Sequence, residues 1–240
     1  MAELTVTCED RTRVLTLNRP AKRNALSESL VEELLAAFAD VPAGTDLVVL
    51  RGAGRSFSAG FDFTGLADHS DGDLLRRFVR IEQLLQTVHH APYETLGLAH
   101  GPVFGAGADL LCACTHRVAT PDATFRLPGL AFGLVLGTRR LVRRIGERAA
   151  REVQGTGAVL DAARAHRYGL LTAVADTGDW PRIQRDTARA AGTITPEARA
   201  VFHAAALADT RDADLADLVR SASVPGLRQR IQRFRGESAA

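Results

Sequence analysis

The chain is 240 residues long and 46% hydrophobic, enough to bury a sizeable core in one α/β domain or in one with a small appendage. Its formal charge of +2 is too balanced for a nucleic-acid footprint, so phosphates on a small ligand are the better match for a local anion site. The opening residues lack the basic-then-apolar layout of a secretion signal, and no apolar run approaches bilayer length, so a cytoplasmic protein without a membrane partner is expected.

Leu4 to Cys8 and Val14 to Leu17 alternate apolar and polar residues around a charged turn, which predicts a hairpin opening a sheet. Asn18 to Leu26 leaves the sheet and holds Lys22, the chain's single lysine, beside Arg19 and Arg23. Ser27 or Ser29 can cap a helix whose apolar face is Leu30, Val31, Leu34, Leu35 and Phe38. A strand over Leu47 to Leu50 follows. A polar stretch from Thr64 to Asp73 then precedes a long amphipathic helix running from Leu74 to Val88. Thr95 to Ala99 is the next strand, and Ala106 to Cys114 has helical length and spacing.

Short strands are predicted near Arg117 to Ala119 and Thr124 to Leu127. The arginines at 139, 140, 143 and 144 recur at helical neighbours, which predicts a solvated or interface face. Asp161 can cap a helix ended by Gly169, and Leu171 to Val174 is the last strand. From Trp180 onward the pattern is helical, with Thr195 and Pro196 as a cap and first-turn pair. The final amphipathic segment carries Arg228, Arg230, Arg233 and Arg235 on a basic face and reads as a surface helix or as one approaching a phosphate-bearing ligand.

Cys8, Cys112 and Cys114 are odd in number and lack zinc-ligand spacing, and the latter two sit in an apolar run that favours buried thiols. His69, His89, His90 and His100 are not paired by spacing with a nucleophile, and Ser56 and Ser58 lack the G-x-S-x-G context, so no catalytic triad is legible. His100 is expected to make a structural hydrogen bond.

Two glycine-rich turns stand out, RGAGRSFSAGFDF at 51 to 63 and HGPVFGAGADLL from residue 100, each following a strand. Small residues there let a backbone approach a ligand, and a helix starting at Ala106 would present unpaired N–H groups to an anion. Neither turn fits a nucleotide-binding glycine motif.

Together with LNRPAKRNAL at 17 to 26 and GAVLDAARAHRYGLLTAV from residue 157, these turns resemble the crotonase superfamily, the enoyl-CoA hydratase/isomerase family, in order and spacing over roughly three quarters of the chain. The resemblance implies an α/β crotonase-like (ClpP/crotonase) spiral of ββα units over residues 1–178, and a helical segment over 179–240 that serves trimer contacts. It implies a homotrimer or dimer of trimers, no permanently bound cofactor, and an acyl-CoA thioester as the substrate. In such a protein the thioester carbonyl would accept hydrogen bonds from the amides of Phe61 and Ala106. Lys22, Arg23 and the backbone near Ala25 would lie along coenzyme A, and Ala59, Gly60, Asp62, Gly105 and Gly129 would complete the site.

The family's hydratases use two glutamates. The first aligns with Asp109, one methylene shorter, and the second with Gly129, which has no side chain. Two-glutamate hydration is therefore doubtful. Asp109 could act as a lone acid or base or could simply complement the helix dipole. Asp62, after a glycine, is expected to bond its own loop backbone, and the Phe61 ring to pack near the thioester. The expected activity is enoyl-CoA hydratase/isomerase-like. A decarboxylase or thioester hydrolase is the alternative within enzymes, and a degenerate acyl-CoA-binding protein the alternative outside them.

Overall fold

The computed structural model describes residues 2–236; the last four residues of the expected helical segment lie outside them. β1 (Leu4–Glu9) and β2 (Thr12–Leu17) form the expected antiparallel hairpin, and a short 3-10 turn at Pro20–Lys22 leads to α1 (Glu28–Ala39). The Ser27 side chain accepts the Leu30 N–H at 3.0 Å and caps α1. β3 (Leu47–Gly52), α2 (Asp71–His89) and β4 (Glu94–Ala99) follow. β5 (Pro102–Phe104), α3 (Ala106–Ala113), β6 (His116–Ala119) and β7 (Thr124–Arg126) complete the middle of the chain.

A 3-10 turn at Gly129–Phe132 precedes α4 (Thr138–Thr156), which is broken at Gly146. β8 (Leu160–Asp161), α5 (Ala162–Tyr168) and β9 (Ala173–Val174) end the sheets, and α6 (Trp180–Ala191), α7 (Pro196–Ala206), α8 (Arg211–Ala222) and α9 (Leu227–Arg235) form the tail. The last strand is shorter than its apolar run, because only Ala173 and Val174 reach β6.

One six-stranded sheet runs β1-β2-β3-β4-β6-β9, parallel from β2 onward, and a second sheet is ordered β5-β7-β8. This is the α/β spiral followed by a helical segment that the resemblance implies. Fully buried Leu47, Val48, Val49 and Leu50 explain why β3 reads as an unbroken apolar run: helices cover both faces of a parallel sheet. β3 and β4 pair in parallel, Val49 opposite Leu96, so the two glycine-rich turns leave the sheet at the same edge.

The helical tail folds back over this body. Leu218, Ala222, Leu227 and Ile231 belong to the same buried cluster as Leu17 and Leu30. α9 is therefore not a bare surface helix. Leu227 and Ile231 are fully buried, and Asp71, in the first turn of α2, accepts the N–H groups of Gly226, Leu227 and Arg228 at 2.9, 3.1 and 2.9 Å. A carboxylate at a helix N-terminus satisfies donors with no intrahelical partner, and Asp71 is held below its ordinary value chiefly by the Arg228 N–H. The basic face expected there is partly consumed by backbone oxygens: Arg228 donates to Ala67 and His69, and Arg230 to Phe132 and Val224.

Within the arginine run at 139–144, expected to form a solvated or interface face, Arg143 is exposed but Arg140 is not. Arg140 is 2% exposed, pairing with Glu82 of α2 at 2.5 Å and with Asp214 of α8 at 3.2 Å. Both partners lie far away in sequence, so helical periodicity alone could not reveal that this arginine ties α4 to α2 and α8.

Candidate active site

The two turns do more than leave one sheet edge: they pair with each other. The Phe57 N–H donates to His100 O at 2.9 Å and the Phe104 N–H to Ser58 O at 3.0 Å, with Ser58 and Val103 bridging in parallel. At the end of this pairing, a methyl group built on Gly60 (φ 84°) would stand 2.3 Å from the carbonyl oxygen of Phe104 and 3.1 Å from the amide nitrogen of Ala106. Only glycine permits that approach. Ala106 opens α3, where an amide has no partner inside the helix. Among the described residues, neither the Phe61 nor the Ala106 amide has a backbone acceptor.

A cavity of about 190 Å³ opens beside these amides, lined by Ala59, Phe61, Gly105, Ala106, Asp109 and Gly129 together with residues the sequence did not single out. Those include Arg126, Gln154 and several phenylalanines. Asp109 is 5% exposed, and its Oδ1 has no hydrogen-bond partner. Burial away from water, only partly relieved by Arg140 and reinforced by the charge of Glu82, raises its carboxyl from the ordinary range to about 8. Among the described residues it is the sole carboxylate lining the cavity. Gly129 shares the wall with Phe132, Leu134 and Leu136, so that side is apolar.

Lys22, Arg23 and Ala25 do not line the cavity; they lie in the segment alongside it. The Ala59 N–H donates to Arg23 O at 2.8 Å and the Leu26 N–H to Gly60 O at 2.7 Å, stitching that segment to the first turn. Lys22 and Arg23 are exposed, whereas Ala25 is buried. Asp62 plays the loop role expected of it, accepting the Thr64 N–H at 2.9 Å, and it also pairs with Arg19 at 2.8 Å. Those hydrogen bonds outweigh burial and keep it an ionised acid, below its ordinary value.

His100 bonds Gly54 O through Nε2 at 2.9 Å, as a structural histidine would. His69 meets Gly65 O at 2.7 Å on the surface, and His89 is buried and pushed down to about 3, hence uncharged. Cys112 and Cys114 are buried free thiols whose ionisation burial opposes.

The parallel-sheet spiral and the pairing of its two glycine-rich turns define the class of the fold, an α/β spiral with a helical C-terminal segment. A family model for enoyl-CoA hydratase/isomerase matches residues 9–221, and the chain belongs to that family. A crystal structure from Bordetella parapertussis, described as a "putative enoyl-CoA hydratase/isomerase", is 45% identical, superposes with a TM-score of 0.95, and covers 99% of this chain and 100% of that one. A "Probable enoyl-CoA hydratase" of Bacillus subtilis (strain 168) is 35% identical over 66% of this chain and 64% of its own length, so the match spans a little under two thirds of that relative. The 2,3-dehydroadipyl-CoA hydratase of Escherichia coli (strain K12) is 33% identical over 72% of this chain and 69% of its own. Among the described residues, no helix is long and apolar enough to cross a membrane and no cluster of metal-binding side chains occurs.

Proposed function

We propose that this family member is an acyl-CoA enzyme that works with one carboxyl group. The thioester oxygen sits between the amides of Phe61 and Ala106, and Asp109 moves the proton. As the α-carbon loses its hydrogen to the Asp109 carboxylate, charge grows on the thioester oxygen; a preorganised donor there is typically worth about 3 kcal/mol. Asp109 then returns the proton at another carbon of the enolate, giving an isomerised double bond. A carboxyl titrating near the working pH can both accept and release a proton. Lys22 and Arg23 meet the coenzyme's phosphates, the backbone near Ala25 its adenine end, and Gly60, Gly105 and Asp62 shape the turns. The working particle is a homotrimer or a dimer of trimers.

The observation that carries this reading is the approach of Gly60 to the Ala106 amide above a cavity holding a single, buried, unpartnered carboxyl. The test is conversion of a 3-enoyl-CoA to the 2-enoyl-CoA: Asp109→Asn is expected to lower kcat at least about a hundredfold, in line with the worth of a general acid or base. An unaffected rate refutes the assignment of Asp109.

The missing partner of Asp109 favours a second reading, a decarboxylase or thioester hydrolase. In decarboxylation the enolate arises by loss of carbon dioxide and needs only protonation. Turnover of a malonyl-type thioester without isomerisation selects that reading. Tight thioester binding without any product selects a binding protein.

A further inference from the structure

Six of the chain's ten phenylalanines, Phe61, Phe63, Phe78, Phe104, Phe132 and Phe234, line the cavity that holds Asp109. They arrive from the first turn, α2, β5, the turn at Gly129–Phe132 and α9, so the fold alone gathers them. The rings already contact one another as aromatic pairs. Phe61 lies 4.4 Å from Phe78, nearly parallel at 22°, and 5.1 Å from Phe63 at 58°, while Phe132 and Phe234 are 5.3 Å apart at 50°. Phe63, Phe104 and Phe234 are only partly buried and keep ring surface open.

Rings turn about few torsions, so such walls are stiff, and a ring placed among them gains offset-stacked and edge contacts beyond the area it buries. An apolar cavity of about 150 Å³ is enough to take up benzene. The cavity here, at about 190 Å³, holds one six-membered ring with a short linker, while a long flexible chain would outrun the walled space.

We infer that the acyl group this site selects ends in a flat aromatic ring joined by a short linker to the thioester carbonyl. The inference rests on the acyl-thioester reading above and deepens it. The ring fills the space among the phenylalanines, and the carbonyl meets the Phe61 and Ala106 amides.

The test compares two saturated thioesters that have no double bond to isomerise or hydrate and no carboxyl to lose, and that share a carbon skeleton, 3-phenylpropanoyl-CoA and 3-cyclohexylpropanoyl-CoA, by calorimetric titration of the full chain, with acetyl-CoA as reference. The phenyl compound is expected to bind about two- to tenfold tighter, and Phe132→Leu and Phe234→Leu each to draw the ratio toward one. Equal or tighter binding of the cyclohexyl compound overturns the inference while acetyl-CoA binding keeps the acyl-CoA reading intact. Should no CoA thioester bind, that reading fails separately. The same ratio measured with the N-acetylcysteamine thioesters of the two acids then decides the ring preference, and parity overturns it.

Discussion

The carboxyl of Asp109 is seated on the bare α-carbon of Gly137: a methyl group built there would lie 2.4 Å from Oδ1, at a residue whose φ is 64°. The N-terminus of α4 thereby fixes the face that Asp109 turns to the cavity. Gly137→Ala combines a disfavoured backbone conformation with this overlap, which together should cost about 2–6 kcal/mol. Thermal unfolding should show the loss, and kcat should fall more than the affinity for the thioester does. An unchanged kcat in a folded variant would separate Asp109 from the chemistry.

Asp109 also makes a signed prediction about pH. Its folded value of about 8 lies above the ordinary carboxyl range, so the folded protein holds a proton that the unfolded chain releases. The associated stability is complete below the unfolded value and is lost as pH rises through about 8. Asp109→Asn should remove that slope, so the variant unfolds at a higher temperature than the parent at pH 8 and the two converge in acid. If Asp109 acts as a base, kcat for isomerisation rises with pH and levels above about 8; a rate falling through that range marks it as the acid of the second reading.

Asp71 predicts a link between a distant cap and the cavity. Its three N–H partners begin α9, which brings Phe234 to the cavity and sets its ring, tilted, against Phe132. Asp71→Ala should cost about 1–2 kcal/mol, as loss of a good cap does, and should weaken thioester binding more than it lowers kcat. Because its folded value is depressed, its contribution is present above the unfolded value and is lost as pH falls through the folded one. Faster hydrogen exchange confined to residues 226–235 would verify the mechanism; uniform acceleration over the chain would contradict it.

Gly129→Glu tests what the absent second carboxyl costs. Its Cβ would come 3.0 Å from Leu134 O, a tight but not blocked position, and its carboxylate would enter an apolar wall. The melting temperature should drop while hydration of a 2-enoyl-CoA rises about tenfold or more, short of the contribution of an optimised acid or base. No gain in hydration from a folded variant would mean that the wall, and not the missing side chain alone, excludes water.

Much of this could be read from the chain, and the exceptions have physical causes. Leu47–Leu50 and Thr95–Ala99 announce buried strands, and the glycines after them announce a close approach, so the meeting of the two turns was legible, whereas the choice of the Phe61 and Ala106 amides rested on the family resemblance. Asp109 stood out through the resemblance, which aligns it with the family's first glutamate. β5 did not, because three residues are too few for a periodic signal. Arg140 was read as part of a solvated or interface face, since a buried guanidinium betrays itself only through Glu82 and Asp214, brought to it by other helices. The phenylalanine lining was invisible for the same reason: Phe63 and Phe234 become neighbours of one cavity only after α9 folds back.

That return of α9 has a consequence for the order in which the molecule is assembled. The wall bearing Phe234 is made after every other wall of the cavity, so a nascent chain carries a greasy, half-roofed cleft until α9 has emerged. Fastening Asp71 onto the newly released amides at 226–228 is then the step that closes the cleft, and a chain stalled upstream of it would expose those rings to chaperones and to its own kind.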